Sequence, residues 1–350
     1  MTVGFVANEN HVDHAVEGHP EGPERLQAVL ALLDECGLLD RPSTPSGQRL
    51  ERIEPRDATD EELAWIHTPE HIESLERICA EGSGWADMDT YILAGSCAAA
   101  RRAAGACLAA TEAVLSSGVR AAFCAVRPPG HHARPGQSMG FCLLNNVAVA
   151  AQYARERHGL ERVAIVDIDV HHGNGTQDAF YADPNVLYCS THQFPFYPGT
   201  GPPQETGAGE AEGTNVNIPL PAGCGDAQYR ASFESIVEPV VRRFRPQLIL
   251  VSCGFDAHYA DPLAGMSLSV AGYGELTTRL RTLAEELCDG RLVFVLEGGY
   301  DLTAVPWGVR TVLEVLLGET PTPDPQGTLG DSGPDIAALM AEVRRIQGLD

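Results

Sequence analysis

The stretch AIVDIDVHHGNG, Ala164 to Gly175, decides how this chain folds. With Val163 it opens on four consecutive apolar residues, Val163, Ala164, Ile165 and Val166. Consecutive apolar positions suit a strand covered on both faces, as in a parallel sheet between helices. Then come groups that an apolar interior resists: Asp167, Asp169, His171 and His172. Buried charges of this kind are paired or hold a metal.

Working outward, similar strand-like runs recur at 2–7, 121–126, 162–168, 185–191, 214–219, 247–253 and 291–297. Helical patterns alternate with them at 23–36, 69–80, 91–117, 143–157, 226–244, 270–288 and 302–317. This alternation predicts an α/β fold with one parallel sheet and helices on both faces. The Pro/Gly/Thr-rich segment 318–335 reads as a linker. Beyond it, Ile336, Leu339, Met340 and Val343 mark one face of a short helix. The expected organisation is one domain over 1–318, with a linker and C-terminal helix over 319–350 docked on it. Long loops at 127–141 and 192–213 follow predicted strands. Ligands of open α/β sheets bind beyond the carboxyl ends of strands, where these loops lie.

The bulk numbers narrow the function. The chain has 350 residues, 44% of them hydrophobic, enough for a full core. A net charge of −24 argues against nucleic acid as a partner and favours cationic substrates. No run reaches the roughly 18 apolar residues of a membrane span, and the N-terminus carries no secretory pattern. Ten cysteines without a C-x-x-C pair read as reduced, buried small hydrophobes, and the expected location is cytoplasmic. Two patterns are discounted. NGT at 174–176 is a sequon without a secretory context, and GTGPPQETGAG at 199–209 lacks the strand–turn–helix setting of a dinucleotide loop.

Residues i, i+2 and i+4 of a strand face the same side. Asp169 and His171 are therefore a pair able to converge on one ion, while Asp167 lies a step deeper. A catalytic zinc takes three protein ligands and keeps one position open. The candidate for the third is Asp256, where the apolar run LILVSC ends in GFDAH. Taken singly, such an Asp caps a helix and such a His is a satisfied core residue. Four such groups at one sheet end point to a metal site. Asp167 then orients a histidine from behind or helps coordinate a monovalent cation. A metal-activated water needs a group that takes a proton and later returns it. His131 and His132 in RPPGHHA supply imidazoles at the same sheet end. Tyr300, after Gly298 and Gly299, is placed either to donate to a developing oxyanion or to cap the sheet.

These residues lie in eight ordered motifs: HPEGPER (19–25), RPPGHHA (127–133), GFCLLNN (140–146), DIDVHHGNGT (167–176), YPGTG (197–201), CGFDAH (253–258), DPLAG (261–265) and LEGGYDL (296–302). The chain resembles the zinc-dependent histone deacetylase superfamily, with acetoin-utilisation proteins and acetylpolyamine amidohydrolases. It looks most like the class II branch and its bacterial amidohydrolases. The resemblance implies an arginase-like three-layer fold with a single eight-stranded parallel sheet, and a deacetylase domain over 1–318. It implies one zinc held by Asp169, His171 and Asp256. His132 would be the general base and acid, with His131 as its electrostatic partner held by Asp167. Asn174 would orient His132, and Tyr300 would polarise the amide carbonyl. Gly140 would offer its carbonyl to the substrate amide. Phe141 and Tyr197 would wall the channel, and Arg25 would stand by the acetate exit. A structural potassium would sit among Asp167, Ser190, Thr191 and the backbone of Asp169 and His171.

Asn174 is shared with class II, where class I has an aspartate. Tyr197 replaces the commoner Phe. Leu263 stands where the polyamine branch has an acid, which counts against a polyamine. Asp87 and Asp89 are candidates for a substrate-rim acid. The expected activity is removal of acyl groups from Nε-acyl-lysine or similar amines, with an acetylpolyamine or another small N-acetyl amide as the alternative. A binuclear manganese ureohydrolase would need more bridging acids, and a non-catalytic acyl-lysine binder would be expected to have lost a ligand or the tyrosine. Metal content separates the three. The sequence leaves oligomeric state open.

Overall fold

The computed structural model describes residues 2–40, 47–330 and 332–350. Met1, 41–46 and Asp331, which fall within the expected 1–318 and 319–350 units, lie outside the described residues. The chain forms strands β1 (Thr2–Ala7), β2 (Arg49–Arg52), β3 (Ser83–Trp85), β4 (Tyr91–Leu93), β5 (Val119–Ala125), β6 (Val163–Asp167), β7 (Val186–Gln193), β8 (Asn215–Leu220), β9 (Leu248–Cys253) and β10 (Leu292–Leu296). Eight of them build one parallel sheet in the order β2-β1-β5-β10-β9-β6-β7-β8, and β3 and β4 form a separate antiparallel hairpin.

Side chains of a strand alternate between faces, and here both faces are buried. On β10, Leu292, Phe294 and Leu296 enter one core while Val293 and Val295 enter the other. The first core receives helices Glu24–Glu35, Val270–Leu287 and Ala304–Leu316. The second receives Ser96–Ser116 and Asn146–His158. Met340 and Val343 of the helix Ala337–Ile346 also lie in the first core. Among the described residues no helix is long and apolar enough to cross a membrane.

Four local readings change. The eighth strand, β2, has the sequence RLER with no buried residue, so its run carries no apolar signal. The helix expected from 91 begins at Ser96, because Tyr91–Leu93 pairs with the preceding strand. The helix expected over 226–244 contains a wide π-helical turn at Phe233–Val237. Finally, not all cysteines are free: Cys79 is bonded to Cys97. The hairpin folds back between the two helices that carry them, bringing residues 18 apart to a Cα–Cα distance of 6.3 Å. The other eight are free, and seven of those are buried, as read from the sequence.

The N-terminal segment is locked to the sheet by buried charge. Glu21 takes Arg127 Nε at 2.6 Å and Nη2 at 2.8 Å, and Arg25 Nη1 at 3.1 Å. Burial works against ionised Glu21, but the two guanidiniums win and hold its carboxyl below the usual range. Glu21→Ala is expected to cost about 3–5 kcal/mol, since it strands buried cations, and urea unfolding measures this. The stabilisation is full above the ordinary carboxylate range and is lost as the pH falls through the lowered folded-state pKa.

Candidate active site

Neighbouring strands β10, β9 and β6 end together, and their last residues converge. Asp169 and His171 follow β6, Asp256 follows β9, and Gly298 follows β10. Nδ1 of His171 lies 3.2 Å from Asp169 Oδ1 and 3.1 Å from Asp256 Oδ2. Among the described residues these three form the metal-compatible group, with ligand atoms all within 4.8 Å of one another. The backbone fixes the carboxylates. Asp169 accepts from the N–H of His171 at 2.9 Å and of Gly298 at 2.8 Å, and Asp256 accepts from Val170 N–H at 2.9 Å. A side chain at Gly298 would bring its Cβ within 2.1 Å of Asp256 Oδ2, so close approach demands glycine.

Burial disfavours the charged form of His171, yet Asp169 and Asp256 raise its pKa to about 10. Burial would raise Asp169, but His131 and His171 hold it well below the carboxylate range. Asp256 goes up, through burial and the charge of Asp169. The donor set is two buried carboxylates and one half-buried imidazole, mutually compensated. That suits a divalent cation of the zinc type, which takes N and O ligands.

The two adjacent histidines differ. His131 Nδ1 donates to Asp167 Oδ2 at 3.0 Å, and Tyr188 Oη donates to the same oxygen at 3.0 Å. Burial would lower the His131 pKa, but the Asp169 and Asp167 charges carry it up to about 10. His132 Nδ1 donates to Asn174 Oδ1 at 2.8 Å, which leaves its Nε2 lone pair available. Burial and the neighbouring His131 and His171 push its pKa well down. The loop bearing both residues hangs from Glu297, whose Oε2 accepts from Gly130 N–H at 2.6 Å and His131 N–H at 3.1 Å.

A cavity of about 250 Å³ opens above these groups, lined by Asp89, His132, Gly140, Phe141, His171, Phe196, Tyr197, Leu263 and Tyr300. Phe141 sits at φ 67°, an unfavourable conformation for a bulky residue, with its N–H held by Thr90 Oγ1 at 3.0 Å. Its ring meets Tyr300 edge-on at 5.9 Å. Tyr197 meets His132 edge-on at 5.2 Å, and Phe196 stacks on His171 at 5.4 Å. Asp261 Oδ2 accepts from Tyr300 N–H at 2.7 Å, and its Oδ1 from Leu263 N–H at 2.9 Å. Burial drives the Tyr300 pKa far up, so its hydroxyl stays a donor. A larger, more open groove of about 660 Å³ lies beside Arg134, Gln177 and Glu205 and lacks such a convergence.

Of the predicted residues, His132, His171, Gly140, Phe141, Tyr197, Leu263 and Tyr300 line the cavity. Asp167, Asp169, Asp256, His131 and Asn174 stand behind it. Arg25 lies deeper, donating to the carbonyls of Gly299 and Glu297 at 2.5 Å, with its guanidinium 5.0 Å from the Tyr300 ring. Ser190 is paired with Asp167 in register, and Thr191 Oγ1 donates to the Asp167 carbonyl at 3.4 Å. Asp89 reaches the mouth, whereas Asp87 Oδ1 accepts from the N–H groups of Asp89 and Thr90. Sequence reasoning missed Phe196, Glu297 and Asp261. Only Glu297, an acid closing an apolar strand, carried a visible signal.

The chain matches the histone deacetylase domain family over residues 19–316. It is 43% identical over 320 residues to a probable deacetylase of Archaeoglobus fulgidus, covering 91% of this chain and 87% of the relative. Against the histone deacetylase-like amidohydrolase of Pseudomonas aeruginosa it is 42% identical over 307 residues, covering 87% and 78%. The crystal structure of the HDA15 HD domain superposes with a TM-score of 0.89 at 37% identity, covering 99% of this chain and 96% of that one. The chain belongs to the histone deacetylase family and is a hydrolase of the deacetylase class.

Proposed function

We propose that the chain is a zinc-dependent amidohydrolase that removes acetyl groups from Nε-acyl-lysine. One observation carries the reading: Asp169, His171 and Asp256 converge beneath a narrow aromatic-walled cavity that His132 and Tyr300 also line. Zinc held by these three would supply Lewis-acid polarisation of the acyl carbonyl and acidify a water. The chain does the rest. Phe141 and Tyr197 enclose the alkyl stem, and the Gly140 carbonyl accepts the substrate amide N–H. His132 Nε2 takes a proton from the attacking water. Tyr300 donates to the carbonyl oxygen as negative charge builds there. His132 then returns the proton to the departing nitrogen, the C–N bond breaks, and acetate and amine leave. His131, charged beside Asp167, offsets the negative charge gathered at the site. Arg25 lies on the inner side, where acetate would depart.

A second reading, an acetylated polyamine or other small amine, draws support from the carboxylate of Asp89 at the mouth. Leu263 in place of an acid weighs against it. A structural potassium among Asp167, Ser190, Thr191 and nearby carbonyls belongs to this proposal, as does a single domain with the 319–350 segment docked on it. So does a cytoplasmic location, against which the Cys79–Cys97 bond counts.

Two measurements test the core. Tyr300→Phe is expected to lower kcat about 10²–10³-fold, the usual cost of one oxyanion donor, with metal content intact. Unchanged turnover on acetyl-lysine peptides removes Tyr300 from the mechanism. Asp256→Ala is expected to purify without stoichiometric zinc by elemental analysis, and retained zinc at one per chain removes Asp256 from the ligand set.

A further inference from the structure

His172 follows a candidate ligand and yet touches no part of the cavity. Its side chain is buried behind the loop that forms one wall. Nδ1 lies 2.8 Å from Thr200 Oγ1 and Nε2 3.0 Å from Gln177 Oε1. The direction of these bonds can be worked out. Glu205 accepts from Gln177 Nε2 at 2.6 Å, so Gln177 Oε1 is the acceptor end of that amide. The same oxygen takes Asn215 Nδ2 and Asn217 Nδ2, each at 2.9 Å. His172 therefore carries its hydrogen on Nε2. In the neutral imidazole, Nδ1 then accepts the Thr200 hydroxyl.

Thr200 is the foot of a loop that runs from Phe194 to Gly201. At its start Phe194 N–H reaches Leu220 O at 2.8 Å, and inside it Gly199 N–H closes a turn on Phe196 O at 2.8 Å. The far foot is gripped by imidazoles. His172 takes Thr200, and His192 Nε2 donates to Gly201 O at 3.0 Å. The two rings lie 4.8 Å apart. Gly201, at φ 88°, lies so close that a Cβ would come within 2.7 Å of both. Between its two ends the loop presents Phe196 to His171 and Tyr197 to His132.

We propose that His172 is a positioning residue: through Thr200 it fixes the foot of the 194–201 loop and so holds Phe196 and Tyr197 as the cavity wall. It sets how closely the acyl-lysine stem is enclosed, a role that rests on the function proposed above. A wall carried on a loop needs such support, because looseness of about 1 Å is enough to spoil a site. The tandem histidines thus divide their work, one facing the cavity and the other bracing its wall.

Thr200→Val tests this, since it keeps shape and removes the hydroxyl. Expected are a KM for acetyl-lysine peptide raised about 10-fold, kcat within about threefold, unchanged zinc content, and weaker discrimination between acetyl and bulkier acyl groups. Thr200→Ser restores all of these, and His172→Asn repeats the valine result. Hydrogen exchange at residues 194–201 should quicken in Thr200→Val whatever the substrate. Unchanged KM and unchanged exchange overturn the inference. So does a variant in which melting temperature, kcat and zinc content fall together while KM stays unchanged, which marks a merely structural role. If the wild-type protein turns over no acyl amide, the proposed function falls, while quickened exchange still supports the brace.

Discussion

Asp167, Asp169 and Asp256 are all fully buried at one end of a sheet that is itself covered on both faces. Ionised carboxylates cost several kcal/mol each in such a place unless they are compensated. The remainder of the site can be understood as that compensation. Asp167 receives the Asp169 N–H, His131 and Tyr188. Asp169 receives two backbone N–H groups, and Asp256 receives one together with His171. The donors come from β7 and from segments after β5, β6 and β10, and the acids from the end of β6 and from segments after β6 and β9. A sheet that sets β5, β10, β9, β6 and β7 side by side brings them together. Strand order is thus an electrostatic requirement of the site as well as a packing result.

A second set of acids holds the loops. Glu297 suspends the tandem histidines, Asp261 ties Tyr300 to Leu263, and Glu21 anchors Arg127 at the head of the histidine loop. Each is buried and each reaches from one element to backbone or guanidinium of another. The net charge of −24 therefore has two components. Most acids are solvated, but several are interior struts whose partners are N–H groups. A formal charge count cannot tell the two apart.

Apolar runs mark seven of the eight strands of the central sheet because those strands are covered on both faces. β2 escaped because an edge strand of sequence RLER buries none of its side chains. Tyr91–Leu93 gives no strand signal, because three residues are too few to show a period of two. The candidate site residues were visible where chemistry demanded an unusual type at a strand end. Phe196, Asp261 and the Cys79–Cys97 bond were not, because their roles depend on which partner tertiary folding brings near. An Asx-type acid like Asp261 is ordinary until the N–H groups of Leu263 and Tyr300 are placed against it.

The pair His131 and His132 shows how environment divides one residue type into two electrostatic states. Both rings are buried and lie 4.1 Å apart. His131 faces Asp167, and the charges of Asp169 and Asp167 raise its pKa to about 10 against the opposing effect of burial, which favours its cationic form. His132 faces the neutral amide of Asn174, and burial together with two neighbouring imidazoles drives its pKa down. The amide orients the ring as well as a carboxylate would, without adding a charge that would favour protonation. A base must begin neutral, and its conjugate acid must give the proton up readily. On the function proposed above, Asn174 at this position meets both needs, and the charge beside it on His131 reinforces them. Environments that push two titratable neighbours apart are what separate a proton carrier from a fixed charge.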